Sequence, residues 1–166
     1  KSAEGKGSCF SVELEVSMKE DAIAPPSTGK LDFTLEGPMP KIICAEDNAA
    51  NRAILRVLLE KLNQNCTFVE NGAELIAHLN EDSYDLILLD INMPVMNGIE
   101  ACQMIRNGGG GELHRAVFIS ALTAAASDES KQAAIDAGMD CFMTKPFTTE
   151  ILKNIIKQYQ EYSSPS

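Results

Sequence analysis

The chain has 166 residues, of which 45% are hydrophobic and 23% charged, a composition typical of a globular domain with one full core. Its net charge of −10 argues against direct binding to nucleic acid or to an anionic membrane, because both require clusters of Lys and Arg. No apolar run approaches the ~20 residues of a membrane span and no signal peptide is apparent, so we expect a cytoplasmic protein or the cytoplasmic part of a membrane-anchored one.

The cysteines are odd in number, and none has the CxxC spacing of a metal or redox site. Neither His78 nor His114 lies near a cysteine pair, which argues against zinc. We therefore expect free, buried thiols in a reducing compartment. The cysteines concerned are Cys9, Cys44, Cys66, Cys102 and Cys141.

Residues 1–40 differ from the rest of the chain. Apolar and polar residues alternate in residues 10–16 and 31–35, as in half-buried strands, and the segments 24–29 (APPSTG) and 37–40 (GPMP) are typical of linkers. Two short strands do not form a stable domain, so we expect the end of a larger domain followed by a linker. Residues 5–14 (GKGSCFSVEL) resemble the last glycine-rich box and strand of the ATP-binding domain of histidine kinases.

From residue 41 to about residue 162, short apolar runs alternate with segments of helical periodicity, and residues 163–166 are expected to fray. A flexible run, NGGGG, interrupts the alternation before the fourth strand. The predicted strands are residues 42–45, 67–69, 86–90, 117–121 and 141–144. The predicted helices are residues 48–62 with Asn48 as cap, 72 to about 79, 98–106, the segment from a cap at Ser127 to 138, and the segment from a cap at Thr148 or Thr149 to about 159.

This alternation predicts an α/β fold, a doubly wound, five-stranded parallel sheet covered by five helices. Right-handed crossovers leave few topologies, and the strand order 2-1-3-4-5 is the natural choice at this size. In such a sheet the carboxyl ends of the strands line one crevice where ligands bind.

Polar side chains stand at the carboxyl ends of four predicted strands: Glu46 and Asp47, Asp90, Thr123 and Lys145. Each has an ordinary alternative, since Asp90 could cap a turn, Thr123 could begin one, and the others could be solvated surface residues. Their convergence at one sheet edge is less probable by chance. Clustered carboxylates need a cation, and oxygen ligands with room for water suit Mg²⁺.

Four motifs now carry a resemblance: EDN at residues 46–48, LLDINMP at 88–94 followed by NG, ALTA at 121–124, and KPF at 145–147. They resemble the receiver domain of two-component response regulators, which has a flavodoxin/CheY-like fold. Together with the kinase-like box upstream, they are most similar to the C-terminal receiver of a hybrid histidine kinase. One departure is Glu46 where many receivers have Asp; its longer arm is expected to reach Mg²⁺ through water.

The resemblance implies that Asp90 takes a phosphoryl group from a phosphohistidine and forms an acyl phosphate. Mg²⁺ would be held by Asp47, Asp90 and the backbone carbonyl of Asn92, with Glu46 in support. The donor would be the domain's own kinase core or a histidine phosphotransfer protein. The fragment would catalyse its own phosphotransfer and dephosphorylation, and its parent would be a histidine kinase.

The same resemblance implies a switch. Lys145 would pair with one phosphoryl oxygen and Thr123 would donate a hydrogen bond to another. Movement of Thr123 would let Phe142 change rotamer, with the loop after the fourth strand as the bistable element. The alternative for Phe142 is a plain core aromatic residue.

The first helix is apolar over an arc of roughly 200°, which is wider than one core-facing stripe needs. We expect Ala50, Ala53, Ile54 and Val57 to form a small face beside the crevice, where a helix carrying the phosphohistidine docks. The alternative is a helix that is buried broadly.

Two other classes of protein share parts of this pattern. Phosphatases of the haloacid dehalogenase type also use an Asp after a buried strand, but they need a second Asp two residues later, where this chain has Asn92. A receiver-like interaction module that is never phosphorylated is the other alternative. Such modules usually lack an acid, the Thr or the Lys, whereas this chain has them all.

Overall fold

A computed structural model of the chain describes residues 39–124 and 128–163. The kinase-like box at residues 5–14, the two alternating segments, the linker at 24–29 and the first half of the linker at 37–40 lie outside the described residues. The cap expected at Ser127 and the tail from residue 164 lie outside them as well. None of the described helices combines the length and the apolar composition of a membrane span.

The described chain alternates strands and helices from Ile42 to Ser163. The strands are β1 (Ile42–Ala45), β2 (Cys66–Val69), β3 (Leu86–Asp90), β4 (Phe118–Thr123) and β5 (Cys141–Thr144). The helices are α1 (Ala49–Lys61), α2 (Gly72–Glu81), α3 (Gly98–Arg106), α4 (Asp128–Asp136) and α5 (Thr149–Ser163), and a 3₁₀ turn covers Glu112–His114.

All five strands are parallel and pair in the order β2-β1-β3-β4-β5. This confirms the predicted doubly wound α/β fold. Central strand β3 is buried along its whole length, as expected for an unalternating apolar run with helices on both faces. Its last residue, Asp90, pairs with Leu122 of β4 at the carboxyl edge of the sheet.

The sheet separates two apolar clusters, because successive strand residues point to opposite faces. Ile43 and Ile87 face a cluster with α2, α3 and α4, and Ile42 and Leu86 face a cluster with α1 and α5. The largest fully buried side chains are Ile42, Ile43, Leu55, Leu59, Leu75, Leu86, Ile87, Leu88, Leu89, Ile105, Ile119 and Leu122.

The start of helix α3 packs directly against the end of β3. Asn97 and Glu100 form a reciprocal capping box at its first turn. Gly98 follows Asn97, and a Cβ at this position would lie 2.2 Å from the carbonyl oxygen of Asp90, so only glycine fits there. The Gly98 N–H also donates to Ile91 O at 3.0 Å, which fixes the loop after Asp90.

The glycine run before β4 differs from the flexible loop that was expected. Gly110 is buried against Leu79 of α2, and Asn80 Nδ2 donates to Gly109 O at 3.3 Å. The ring of His114, only 4% exposed, contacts Gly110 O through Nδ1 at 2.7 Å and accepts the Tyr84 N–H at Nε2 at 3.1 Å. The prediction of a loose loop is therefore wrong, because these contacts pin it to α2 and to the start of β3.

Several element ends also differ from the prediction by one or two residues: β2 begins at Cys66, β4 at Phe118, and α1, α2 and α4 end at Lys61, Glu81 and Asp136. At two further ends the element extends beyond the prediction. Strand β4 extends to Thr123 because Leu122 and Thr123 still pair with β5. Helix α5 extends beyond residue 159 to Ser163. Its last turn is held by Tyr162, whose ring lies 5.3 Å from that of Phe118 and whose hydroxyl donates to Ala116 O at 2.7 Å.

The four cysteines in the described part are free thiols, as predicted. Burial raises the pKa of Cys44 well above its usual value, that of Cys66 to about 12, and those of Cys102 and Cys141 to about 11. Only the thiolate is an effective nucleophile.

We therefore expect native thiols to be poorly reactive. In a Cys9→Ser variant at pH 7.5, thiol-specific labelling should be roughly a hundredfold slower in the folded protein than in denaturant, because each unit of pKa removes a factor of ten in thiolate. Mass spectrometry over time gives both rates. Rapid native labelling of Cys66 or Cys141 would contradict the burial described here.

Candidate functional site

The structure brings the predicted strand-end residues into one crevice. Glu46 and Asp47 follow β1, Asp90 ends β3, Thr123 ends β4 and Lys145 follows β5. Glu46, Asp47 and Asp90 each offer a carboxylate oxygen within 4.8 Å of the other two. Glu46 and Asp90 are buried, whereas Asp47 is exposed at the mouth of the crevice. The cluster of acids is thus open to solvent at Asp47.

Lys145 joins the two buried acids. Its Nζ donates to Asp90 Oδ2 at 2.7 Å and forms an ion pair with Glu46 Oε2 at 2.8 Å. Partial burial by itself lowers the pKa of this ammonium, but the bonds to Asp90 and Glu46 outweigh burial, so its pKa is raised. Lys145 is therefore fully charged at neutral pH.

Asp90 balances opposing influences. Burial is the largest and raises the pKa of its carboxyl, while the bonds from Lys145 and from the Asn92 N–H, at 3.2 Å to Oδ1, lower it. The nearby charge of Glu46 raises it again, and the net result is a raised pKa. Ionisation of Asp90 is therefore unfavourable in this site. A bound cation, or an electrophile that reacts with the carboxylate, would relieve that unfavourable free energy.

Glu46 is held on both oxygens. Its Oε1 accepts from the Asn48 N–H at 3.2 Å and from Asn51 Nδ2 at 2.9 Å, while Oε2 faces Lys145. The side chain is completely buried. Besides offering an oxygen to the acid cluster, Glu46 therefore fixes Lys145, a role that sequence reasoning did not assign to it.

The donor set fits Mg²⁺. The cluster offers carboxylate oxygens from three residues, and the crevice is open at Asp47, which leaves room for the waters that Mg²⁺ retains. Asn92, whose carbonyl was the fourth expected ligand, is exposed and lies just beyond Asp90. Residues 42–157 match the family described as the response regulator receiver domain.

The chain belongs to the response regulator receiver family. It is 28% identical to Histidine kinase 5 of Arabidopsis thaliana over 93% of the chain, which corresponds to 21% of that protein. The chain spans about a fifth or less of the length of the curated relatives it matches first.

Solved receiver domains share the fold. One is the receiver domain of sensor histidine kinase PA1611 of Pseudomonas aeruginosa, with a magnesium ion coordinated in its active-site cleft. It is 31% identical to this chain with a TM-score of 0.67, and the match covers 74% of this chain and 98% of that one. Another is the Saccharomyces cerevisiae Ssk1 receiver in complex with the histidine phosphotransfer protein Ypd1, at 32% identity and a TM-score of 0.65, covering 74% and 91%.

Phe142 lies on the surface of the receiver domain. Its side chain is 39% exposed, and Lys131 Nζ of α4 lies 5.7 Å from the ring centroid. The alternative interpretation of Phe142 as a plain core aromatic residue is therefore wrong. Thr123 is buried nearby, and its carbonyl accepts the Lys145 N–H at 2.9 Å, which ties the end of β4 to the start of the Lys145 segment.

The small apolar face on α1 of the receiver domain is accessible. Ile54 and Val57 are 48% and 49% exposed, and Ala50 and Ala53 are exposed as well. The core side of the helix is formed by Leu55 and Leu59, which are buried. The alternative of a broadly buried helix is therefore wrong.

Sequence reasoning also missed Arg52. Its Nη1 donates to the backbone carbonyls of both Glu46 and Asp47 at 2.8 Å, and its Nη2 pairs with Glu70 Oε1 at 2.6 Å. In the sequence Arg52 stands five residues after Asp47, on the predicted first helix. The faces of that helix are distinguished only by the spacing of apolar residues, and this spacing gives no role to an arginine.

Proposed function

We propose that this receiver domain accepts a phosphoryl group from a phosphohistidine on Asp90, with Mg²⁺, and changes conformation in response. The observation that carries the proposal is the contact of Lys145 Nζ with Asp90 Oδ2 at 2.7 Å inside a cluster of three carboxylates. The test is intact-mass measurement after incubation with acetyl phosphate and Mg²⁺, which should add one phosphoryl group per chain. A chain that gains none would act as an unphosphorylated interaction module.

In the proposed reaction a carboxylate oxygen of Asp90 attacks phosphorus while the bond from phosphorus to the donor's imidazole nitrogen breaks. The electron pair of that bond remains on the nitrogen, and the product is an acyl phosphate on Asp90. When bound, Mg²⁺ neutralises charge on the phosphoryl oxygens. Asp47, Asp90 and the carbonyl of Asn92 would hold the ion, with Glu46 supporting through water.

Lys145 then changes partner. Its ammonium would leave Asp90 Oδ2, which becomes part of the acyl phosphate, and would bind a phosphoryl oxygen while Glu46 keeps its other side fixed. Thr123 would donate its hydroxyl hydrogen to another phosphoryl oxygen. The short distances to Lys145 support this exchange because the ammonium needs to move little.

Movement of Thr123 would be transmitted to α4 and β5. Phe142 is half-exposed beside Lys131, so an inward rotamer would bury apolar surface and release that cation. The loop after β4 is the proposed bistable element. Its described end, Ala124, directly follows the residue that would contact the phosphoryl group.

The parent protein is proposed to be a hybrid histidine kinase, and residues 1–40 to be the end of its ATP-binding domain plus a linker. Support comes from the glycine-rich box at residues 5–14 and from the Arabidopsis kinase, whose alignment covers 93% of the chain and so extends upstream of the receiver domain. The proposed location is cytoplasmic, without contact with nucleic acid or membrane. The donor would be the parent's kinase core or a histidine phosphotransfer protein.

Asp47→Ala tests the metal site. We expect Mg²⁺ affinity to fall by at least about tenfold, because one of three clustered carboxylates is removed. Without divalent ions the variant should melt at a higher temperature than wild type, because repulsion within the crevice is relieved. Calorimetric titration with Mg²⁺ and thermal unfolding give both values, and unchanged affinity would argue against Asp47 as a ligand.

Val57→Glu tests the docking face on α1. Transfer from a phosphohistidine protein should slow by about tenfold or more, since a charge is placed in the centre of an apolar contact, while labelling of Asp90 by acetyl phosphate should not change. Leu113→Glu is the control, because Leu113 is 87% exposed and precedes β4 at the opposite edge of the sheet. Equal rates for both variants with the protein donor would place docking elsewhere.

A further inference from the structure

Asp47 and Glu46 are held in different ways. The carboxylate of Glu46 has partners on both oxygens. Among the described residues, no hydrogen bond or ion pair holds the carboxylate of Asp47, which is exposed. The backbone at Asp47 therefore decides the direction in which its side chain leaves the main chain, and only rotation within the side chain is left to it.

That backbone is fixed by Arg52. The guanidinium Nη1 donates to the carbonyl oxygens of Glu46 and Asp47, both at 2.8 Å. These oxygens belong to the two peptide planes on either side of the Asp47 Cα, and the two dihedral angles of a residue are the rotations between those planes. Holding both planes therefore holds the direction of the Asp47 Cα–Cβ bond.

The guanidinium is itself anchored. Its Nη2 pairs with Glu70 Oε1 at 2.6 Å, just beyond the end of β2, and the Arg52 side chain is only 17% exposed. The group is planar, so fastening Nη2 at Glu70 orients Nη1 toward the two carbonyls. Arg52 thus links the ends of β1 and β2 through one rigid unit.

We propose that Arg52 is a positioning residue that sets the affinity of the crevice for Mg²⁺ by aiming Asp47. The inference rests on the proposed Mg²⁺-dependent function of this site. Replacing a residue that orients a metal ligand without touching the metal commonly changes metal affinity by about tenfold or more. A structural role alone would alter the stability of the fold and leave the affinity for Mg²⁺ unchanged.

Replacing Arg52 by a neutral residue would change both the position of Asp47 and the charge near the metal site. Arg52 is a cation near an acidic cluster, and removing it by itself would strengthen the attraction of Mg²⁺. Arg52→Lys separates the two effects: it keeps the charge but replaces two nitrogens in one plane with one freely rotating ammonium. Arg56→Lys is the matched control, because Arg56 lies one turn later on α1 and stacks over Phe68 at 4.7 Å, away from the acids.

The experiment is a calorimetric Mg²⁺ titration of wild type, Arg52→Lys and Arg56→Lys, with acetyl phosphate labelling measured over a range of Mg²⁺ concentrations. We expect Arg52→Lys to need about tenfold more Mg²⁺ for half-saturation in both assays, and to approach the wild-type labelling rate at saturation. Arg56→Lys should match wild type. Equal Mg²⁺ affinity in Arg52→Lys and wild type overturns the proposal, even if the melting temperature falls.

Glu70→Gln provides a second variant in case Arg52→Lys unfolds. Glu70 is 63% exposed, so the fold should tolerate the change, while the anchor of Nη2 becomes weaker. We expect a two- to threefold loss of Mg²⁺ affinity at high salt, where the effect of losing the exposed Glu70 charge is screened, and no loss overturns the proposal. If wild type binds Mg²⁺ but gains no phosphoryl group, the proposed function fails while the titrations still decide the role of Arg52.

Discussion

Asp90→Asn should abolish phosphorylation of the chain. The variant keeps the shape of the side chain at the carboxyl end of β3 and removes the nucleophile, since an amide oxygen does not form a stable acyl phosphate. Intact-mass measurement after acetyl phosphate and Mg²⁺ should show no gain, against one phosphoryl group for wild type. A gain at the wild-type rate would mean that another residue is the acceptor.

Asp85→Asn is the matched control for that experiment. It makes the same chemical change at the other end of the same strand, where the Asp85 carboxylate accepts from the Lys41 N–H at 2.8 Å. We expect full phosphorylation of this variant. If both variants lost phosphorylation, general damage to β3 would explain the result.

Asp90→Asn should also be more stable than wild type at pH 7 without divalent ions. The folded-state pKa of Asp90 is raised, above all by burial, so its ionised form is less favourable in the fold than in the unfolded chain. This cost is present above the raised pKa and disappears as the pH falls below the ordinary carboxyl range. The advantage of the variant in thermal unfolding should shrink over the same interval.

The second large effect is expected for Lys145→Met. Nζ contacts Asp90 at 2.7 Å and Glu46 at 2.8 Å, so its removal leaves two buried carboxylates facing each other. At an effective dielectric of about 20 their repulsion is roughly 3 kcal/mol, part of which solvent and protonation relieve because Lys145 is 21% exposed. We expect a net loss of about 2 kcal/mol, or roughly 5–10 °C in melting temperature.

A double variant identifies the cause of that loss. If the loss comes from repulsion, adding Asp90→Asn to Lys145→Met should recover most of the stability, whereas lost packing of the Lys145 stem would not be recovered. Mg²⁺ should also raise the melting temperature of Lys145→Met more than that of wild type, since the ion supplies the missing positive charge. Lys157→Met, on the exposed side of α5, should change little and serves as control.

The framework of the fold could be predicted because local signals agreed with each other. β1, β3, α3 and β5 have the predicted bounds, since each short run or helical stripe is bounded by a turn or capping residue. The glycine run was wrongly predicted to be a flexible loop. A run of glycines is flexible only where no other group packs against its backbone. Here the absence of a Cβ at Gly110 allows contact with Leu79, and a buried histidine completes the attachment.

The acidic site was predictable to the extent that it lies at strand ends. Parallel strands bring their carboxyl ends to one edge, so Asp90 and Lys145 meet although they are 55 residues apart. The residues that hold Glu46 and Asp47 in place were not predictable. Asn51 contacts the Glu46 carboxylate, and Arg52 contacts two backbone carbonyls. Such polar contacts depend on the direction of the side chain and produce no periodic pattern in the sequence.

The division of the core by the sheet has a consequence for how such a domain can evolve. The cluster with α1 and α5 and the cluster with α2, α3 and α4 share strands but have no side chains in common. Substitutions on opposite faces should therefore have nearly additive effects on folding. A lineage can remodel the proposed docking face of α1, by changes such as those at Ile54 or Val57, without disturbing the packing that supports α4. If donors dock on α1 as proposed, duplicated copies of the domain can acquire separate donors while they keep the same core on the α4 side.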